Sequence, residues 1–324
     1  MTTPERIVSL ISSATEILYL LGAGDRVVGV SHECDYPAEV AGQPRLTRSL
    51  VEAAAASRAI DQQVHELAAS QSALYSIDVE RLAALRPDVI LTQSQCDVCA
   101  VRYEDVAAAV RDTPALADTR IVALNPHTIA DVFDDLIQVG RAIGREQQAW
   151  AVRAALEARV RAVREKTAAL PREARPRVAC LEWIDPPMLA ANWTPELVQM
   201  AGGEPGLTVP GAHSAYANWE QVVAYDPQVV VIMPCGFDLE RSIVEAQVLP
   251  GMTGWNRLAA VRERRVYAAD GNAYFNRSGP RLVDSLEILA HLFHPRLFRS
   301  SRAGGQQAWR RLDTRGNALV GMVE

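Results

Sequence analysis

Residues 146–170 (EQQAWAVRAALEARVRAVREKTAAL) contain neither glycine nor proline, and they restrict this chain more than any other stretch. Alanine, arginine, glutamate and leucine, all strong helix formers, dominate it. Ala149, Val152, Leu156, Val160 and Val163 recur at steps of three and four, which lays one apolar stripe along a charged rod. Gly144 and Pro171 punctuate its two ends. At about 1.5 Å per residue the rod is about 37 Å long, enough to run past two domains. Strand-and-helix patterns lie on each side of it. The expected fold class is α/β: two three-layer α/β lobes, 1–145 and 171–295, joined by a single long linker helix over 146–170. A basic tail, 296–324, follows. The 324 residues suit two domains, and 49% hydrophobic residues suffice for two cores.

Expected strands in the first half are 6–11, 27–30, 88–92 and 120–124; in the second they are 177–183, 228–233 and 265–269. The runs DVILT and QVVVIM carry apolar cores, VIL and VVVIM, which predicts burial on both faces of a parallel sheet. Between them lie helix starts: Ser76-Ile77-Asp78-Val79-Glu80, with Ser76 or Asp78 as cap of a helix running to Leu85, Asn125-Pro126-His127-Thr128, Trp193-Thr194-Pro195-Glu196, and helices at 219–225 and 282–293.

Net charge is −6 with a sequence pI of about 5.6, and no basic stripe points to nucleic acid. Arg296, Arg299, Arg302, Arg310, Arg311 and Arg315 cluster in the tail, which reads as a solvated terminal segment or helix. Ser9, Ser12, Ser13, Thr15 and Glu16 interrupt the first apolar run, so it reads as neither signal peptide nor membrane span. The expectation is a cytoplasmic chain if Met1 is native, and a periplasmic or extracellular one if a leader was removed. No GxSxG, GxxxxGK[ST], strand-following GxGxxG or HExxH occurs, so no enzyme is expected beyond a conceivable thiol-redox role for Cys96 and Cys99.

In open α/β sheets, ligands bind beyond the carboxyl ends of the strands. His32 and Cys34, Cys96 and Cys99, His127, Cys235, and Tyr274 with Arg277 all directly follow expected strands. They are expected to line one cleft. Cys96-x-x-Cys99 has metal or redox spacing, and with Cys34 and Cys235 four thiolates would suit tetrahedral Zn²⁺ or an iron–sulfur cluster. Scattered reduced cysteines and a thiol-redox pair remain open beside that. Cys180, in mid-strand, reads as a buried small hydrophobe. His32, His127 and His213 are candidate imidazole ligands, to Zn²⁺ or to a corrinoid's cobalt.

Ile7-Val8-Ser9-Leu10 with Thr15-Glu16, Val28-Gly29-Val30-Ser31 with Asp35-Tyr36-Pro37, the segment 79–88, Trp219-Glu220-Gln221-Val222, and the segment 275–281 occur in that order. Together they resemble the vitamin B12 (cobalamin)-binding proteins of ABC importers, over about residues 5 to 295. The resemblance implies two lobes on one rigid helix, the class III architecture, and cobalamin or a related corrinoid as ligand. It implies an ABC permease as partner and no catalysis. Tyr36 would then lie against a flat corrinoid, and Tyr274, Phe275 and Arg277 would supply contacts from the other lobe. Glu80 and Glu220 would dock the protein onto permease arginines. The chain departs from that pattern in its cysteines, and in Leu74 and Tyr75 where a cleft tryptophan would stand.

Overall fold

In the computed structural model the chain runs from β1 (Ile7–Ser9) through α1 (Ser12–Leu20), β2 (Val27–Val30), β3 (Thr47–Ser49), α2 (Ser57–Ala69) and β4 (Tyr75–Ile77). It continues through α3 (Val79–Leu85), β5 (Val89–Gln93), α4 (Tyr103–Asp112), β6 (Arg120–Leu124) and α5 (Ile129–Ala142). The structure describes residues 3–70, 73–95, 98, 100–298, 307–313 and 316. One unit holds the chain through Ala55, Ala59–Pro126 and Ala130–Leu156; the other holds Ala56–Arg58, His127–Ile129 and the chain from Glu157 onward.

In the first unit four strands pair in parallel, in the order β2-β1-β5-β6. The chain leaves β1 toward β2 on one side and returns to β5 on the other, so the strand order reverses between β1 and β5. That is the point where such sheets open a crevice. Every residue of β5 is buried, the apolar Val89, Ile90 and Leu91 as expected and the polar Thr92 and Gln93 with them. Val8, Leu10 and Ile90 face Leu82, Val106 and Leu116 to form the core beneath α3 and α4. A separate antiparallel pair, β3 with β4, was not legible in the sequence.

The rod is a single α-helix, α6 (Glu146–Ala168), ending two residues before the expected boundary. Its apolar stripe is buried at Ala149, Leu156, Val160 and Val163. Arg153 fixes its first half by an ion pair of 2.6 Å to Asp134 of α5. Arg159 fixes its second half, bonding two carboxylates: Asp284 and, at 2.9 Å, Glu287. These hydrogen bonds, that of Glu287 first, raise the Arg159 guanidinium above its ordinary value.

The second unit continues with β7 (Val178–Ile184), β8 (Pro187–Leu189), α7 (Thr194–Met200), β9 (Ala215–Tyr216), α8 (Trp219–Tyr225) and β10 (Val229–Ile232). It closes with α9 (Leu239–Glu245), α10 (Ala259–Arg262), β11 (Val266–Ala269), α11 (Leu282–Phe293) and β12 (Trp309–Arg311). Its sheet has the order β12-β11-β10-β7-β8-β9, parallel across β11-β10-β7 and antiparallel outside them. The tail expectation is corrected here. Arg310 and Arg311 lie on a strand paired with β11, because Trp309 packs edge-on to Tyr267 at 5.6 Å and Leu312 enters the core. Arg299, Arg302 and Arg315 lie outside the described residues.

The two units repeat one local device. Asp78 caps α3 by accepting the Arg81 N–H at 2.9 Å, and Asn218 caps α8 by accepting that of Gln221. Each helix is seven residues long and stops on a left-handed residue, Arg86 or Asp226, just before a proline and a buried strand. Glu80 and Glu220 therefore occupy the same place, the second helical residue, and both are exposed.

Asp135 on α5 is an anomaly. It is 6% exposed, and its Oδ2 is buried without a hydrogen-bond partner among the described residues. Burial, with Asp131 and Asp134 nearby, pushes its carboxyl up from 3.8 to about 7. The folded chain thus holds a proton that the unfolded chain has released, so stability falls as pH rises from about 4 to about 7. Asp135→Asn is expected to flatten that slope and to add about 1–4 kcal/mol at pH 8. Urea unfolding at pH 5 and pH 8 measures both effects, and an unaltered slope would refute the assignment.

Candidate functional site

In the first unit the loops beyond the strands are built around Thr47. Its Oγ1 lies 3.0 Å from Ser31 Oγ, accepts the His32 backbone N–H at 3.0 Å, and lies 2.7 Å from His32 Nδ1. Arg45 donates from Nη1 to the carbonyls of Ser31, at 3.1 Å, and Cys34. The His32 ring stands 5.6 Å from that of Tyr75. Burial first, and the Arg45 charge second, hold the imidazole below its ordinary value, so His32 is neutral at pH 7. Tyr36, four residues along the same loop, is 49% exposed. Arg45 and Thr47 were missed in the sequence because the three-residue strand β3 gives no readable periodicity.

In the second unit the loops after β10 and β11 interlock. Asp270 accepts the Ala273 N–H at 2.7 Å and starts a single π-helical turn, Gly271–Phe275. Asn276 donates to the carbonyls of Met233, at 2.8 Å, and Gly271, at 3.1 Å, while Asn272 N–H donates to Phe237 O at 3.0 Å. Arg277 donates to Asn272 Oδ1 at 2.9 Å and is itself buried. Tyr274 is half-buried, with the Arg281 guanidinium 5.6 Å from its ring centre. Phe275 corrects an expectation. Its side chain is 1% exposed and its carbonyl accepts the Trp193 indole N–H at 2.8 Å, so the ring is core and not a ligand contact.

Further groups at these strand ends escaped the sequence reading. Trp183, in β7, and Phe237 place their rings 5.0 Å apart, and Arg241 lies 3.7 Å over Phe237. Glu182 accepts the Ser214 hydroxyl at 2.7 Å, and burial raises its carboxyl against that bond. The strand-end rule that points to Cys235 also covers Trp183 and Phe237. His127 and His213, both in the second unit, stand edge-on with ring centres 5.7 Å apart.

The cysteines divide. Cys34 is buried, with its Sγ 3.1 Å from the Thr15 hydroxyl. Cys180 is buried in β7, as expected. Cys235 is partly exposed, and its N–H donates to Glu182 O at 3.0 Å. Cys96 and Cys99 lie outside the described residues. Among the described residues no three His, Cys, Asp or Glu side chains are grouped to hold a metal ion. There, too, no helix is long and apolar enough to cross a membrane.

The sequence profile described as periplasmic binding protein matches residues 7–273. The chain is 25% identical over 299 residues to an uncharacterized ABC transporter substrate-binding lipoprotein of Bacillus subtilis, covering 91% of this chain and 82% of the relative. It is 26% identical over 282 residues to the vitamin B12-binding protein of Yersinia pestis, covering 86% and 82%. Among solved structures, the periplasmic vitamin B12-binding protein of Vibrio cholerae aligns with a TM-score of 0.62 at 19% identity, over 90% of this chain and 97% of that one. The periplasmic heme-binding protein of Roseiflexus sp. RS-1 aligns with a TM-score of 0.65 at 24% identity, over 90% and 99%.

Gly271 makes the interlocked rim possible. A Cβ there would sit inside contact distance of the Pro234 carbonyl oxygen and of Met233 backbone atoms. Gly271→Ala is expected to cost about 1–3 kcal/mol, since backbone cannot yield as a flexible side chain would. A denaturation midpoint equal to that of the unaltered protein would show the approach to be less tight.

Proposed function

Because the chain belongs to the periplasmic binding protein family, we propose that it is a non-catalytic binding protein that holds cobalamin or a related corrinoid for an ABC permease. The observation that carries this reading is the chemistry of the strand-end loops. Tyr36 offers an exposed aromatic face on the first unit, and Tyr274, half-buried with the Arg281 guanidinium 5.6 Å from its ring centre, offers one on the second, where Arg277 is held by Asn272. Corrinoids are large and partly apolar, with amide fringes, and such a ligand is recognised by aromatic faces with a few fixed polar groups. Phe275 is left out of this contact set because it is core. The relatives named as a substrate-binding lipoprotein and a vitamin B12-binding protein support the same reading. They also favour work outside the cytoplasm and lend nothing to a cytoplasmic role.

Titration with cyanocobalamin and hydroxocobalamin tests the ligand. Heat and a spectral change at micromolar protein are expected, and the absence of both would sink corrinoid binding.

Glu80 and Glu220 are proposed as the docking carboxylates, one per unit, on the strength of their identical, exposed place at the second residue of α3 and α8. Glu80→Ala and Glu220→Ala should weaken capture by the permease and leave cobalamin affinity unchanged. A fall in cobalamin affinity would show that these residues belong to the ligand site instead.

A further inference from the structure

His32 is held in a way that its role as a mere loop residue does not require. Its hydrogen bonds all run through the backbone N–H and Nδ1: the N–H and Nδ1 to Thr47 Oγ1, and Nδ1 also 3.5 Å from Ser31 Oγ. Among the described residues Nε2 makes none, and it is not sealed off by protein. The Tyr75 ring stands against one side of the imidazole, at 39° to it. Thr47 has two lone pairs and one hydrogen. If it accepts both N–H groups of His32, its own hydrogen goes to Ser31 Oγ at 3.0 Å, and every partner in the cluster is used. The lone pair of the ring is then on Nε2, pointing out of the cluster. An imidazole whose second nitrogen donates to a fixed oxygen is the form that proteins present to metals.

We propose that His32 Nε2 is the axial ligand by which the first unit binds the metal centre of a flat cobalt or iron macrocycle, with Thr47 as its positioning residue. This rests on the binding function proposed above and adds the bond that function would use. The step is a ligand exchange: the Nε2 lone pair forms a bond to the metal, the metal-bound water leaves, and no electron is transferred. The low proton affinity of the ring, set by burial and Arg45, keeps that lone pair available at neutral pH. Thr47 and Arg45 reach the cluster from the loop and strand that follow Pro44, so the ring is oriented from outside its own segment.

Hydroxocobalamin and hemin, each with a position open to exchange, are the probes. Cyanocobalamin, with cyanide in that position, is the control. The unaltered protein should convert either probe from its water-ligated to its imidazole-ligated absorbance. His32→Ala should lose that conversion and regain it with millimolar imidazole. Thr47→Val should weaken the ligated form about tenfold or more. Should His32→Ala fail to fold, the spectrum of the unaltered protein still decides. Heat of cyanocobalamin binding with both probes left water-ligated would overturn the axial role and leave the binding function standing. A His32-dependent shift with hemin alone would uphold the axial role and overturn the corrinoid reading. No heat and no shift with any probe would remove both.

Discussion

Parallel strand pairing governs everything that follows in this molecule. A parallel ladder sends every strand's carboxyl end to the same edge of the sheet and demands a crossover, here a helix, to bring the chain back. The four-stranded sheet of the first unit is parallel throughout, and that of the second is parallel across β11, β10 and β7. Strands covered on both faces favour apolar residues, and VVVI and the VIL of β5 are buried at every position, with the polar Thr92 and Gln93 buried after them. The polar and aromatic residues are thereby pushed into the loops that follow. Tyr36, His32, Phe237, Tyr274 and Arg277 all lie in segments that follow parallel strands for that reason.

Much of this was legible because turn residues and apolar runs mark element ends clearly. Strands 27–30 and 120–124 and helices 219–225 and 282–293 have the bounds read from the sequence. The glycine-free rod was the least ambiguous element of all. What escaped were pieces too short for any periodicity: β3, β4, β8, β9 and β12 have two or three residues each. That loss mattered for the site, since β3 and the loop before it supply Thr47 and Arg45. Phe275 failed differently. The rule of strand ends found its segment, but one π-helical turn buries its ring while Tyr274 stays partly open, and no sequence pattern distinguishes the two.

The rod itself is secured by guanidinium groups and not by its apolar stripe alone. Arg153 and Arg159 are six positions apart. The first engages the first unit through Asp134, and the second engages α11 through Asp284 and Glu287. A planar fork of donors suits two carboxylates presented from successive turns of one helix, which a lysine could not match. Each unit therefore grips its own half of α6 through charge as well as packing.

The last strand has a practical meaning for anyone handling this protein. Trp309–Arg311 lies along β11 and covers backbone groups of Tyr267, Ala268 and Ala269 that would otherwise stand open. A chain shortened after α11 would present an apolar, unshielded ladder to its neighbours, an invitation to self-association. Tags and fusions belong beyond that strand, where they leave the seal in place.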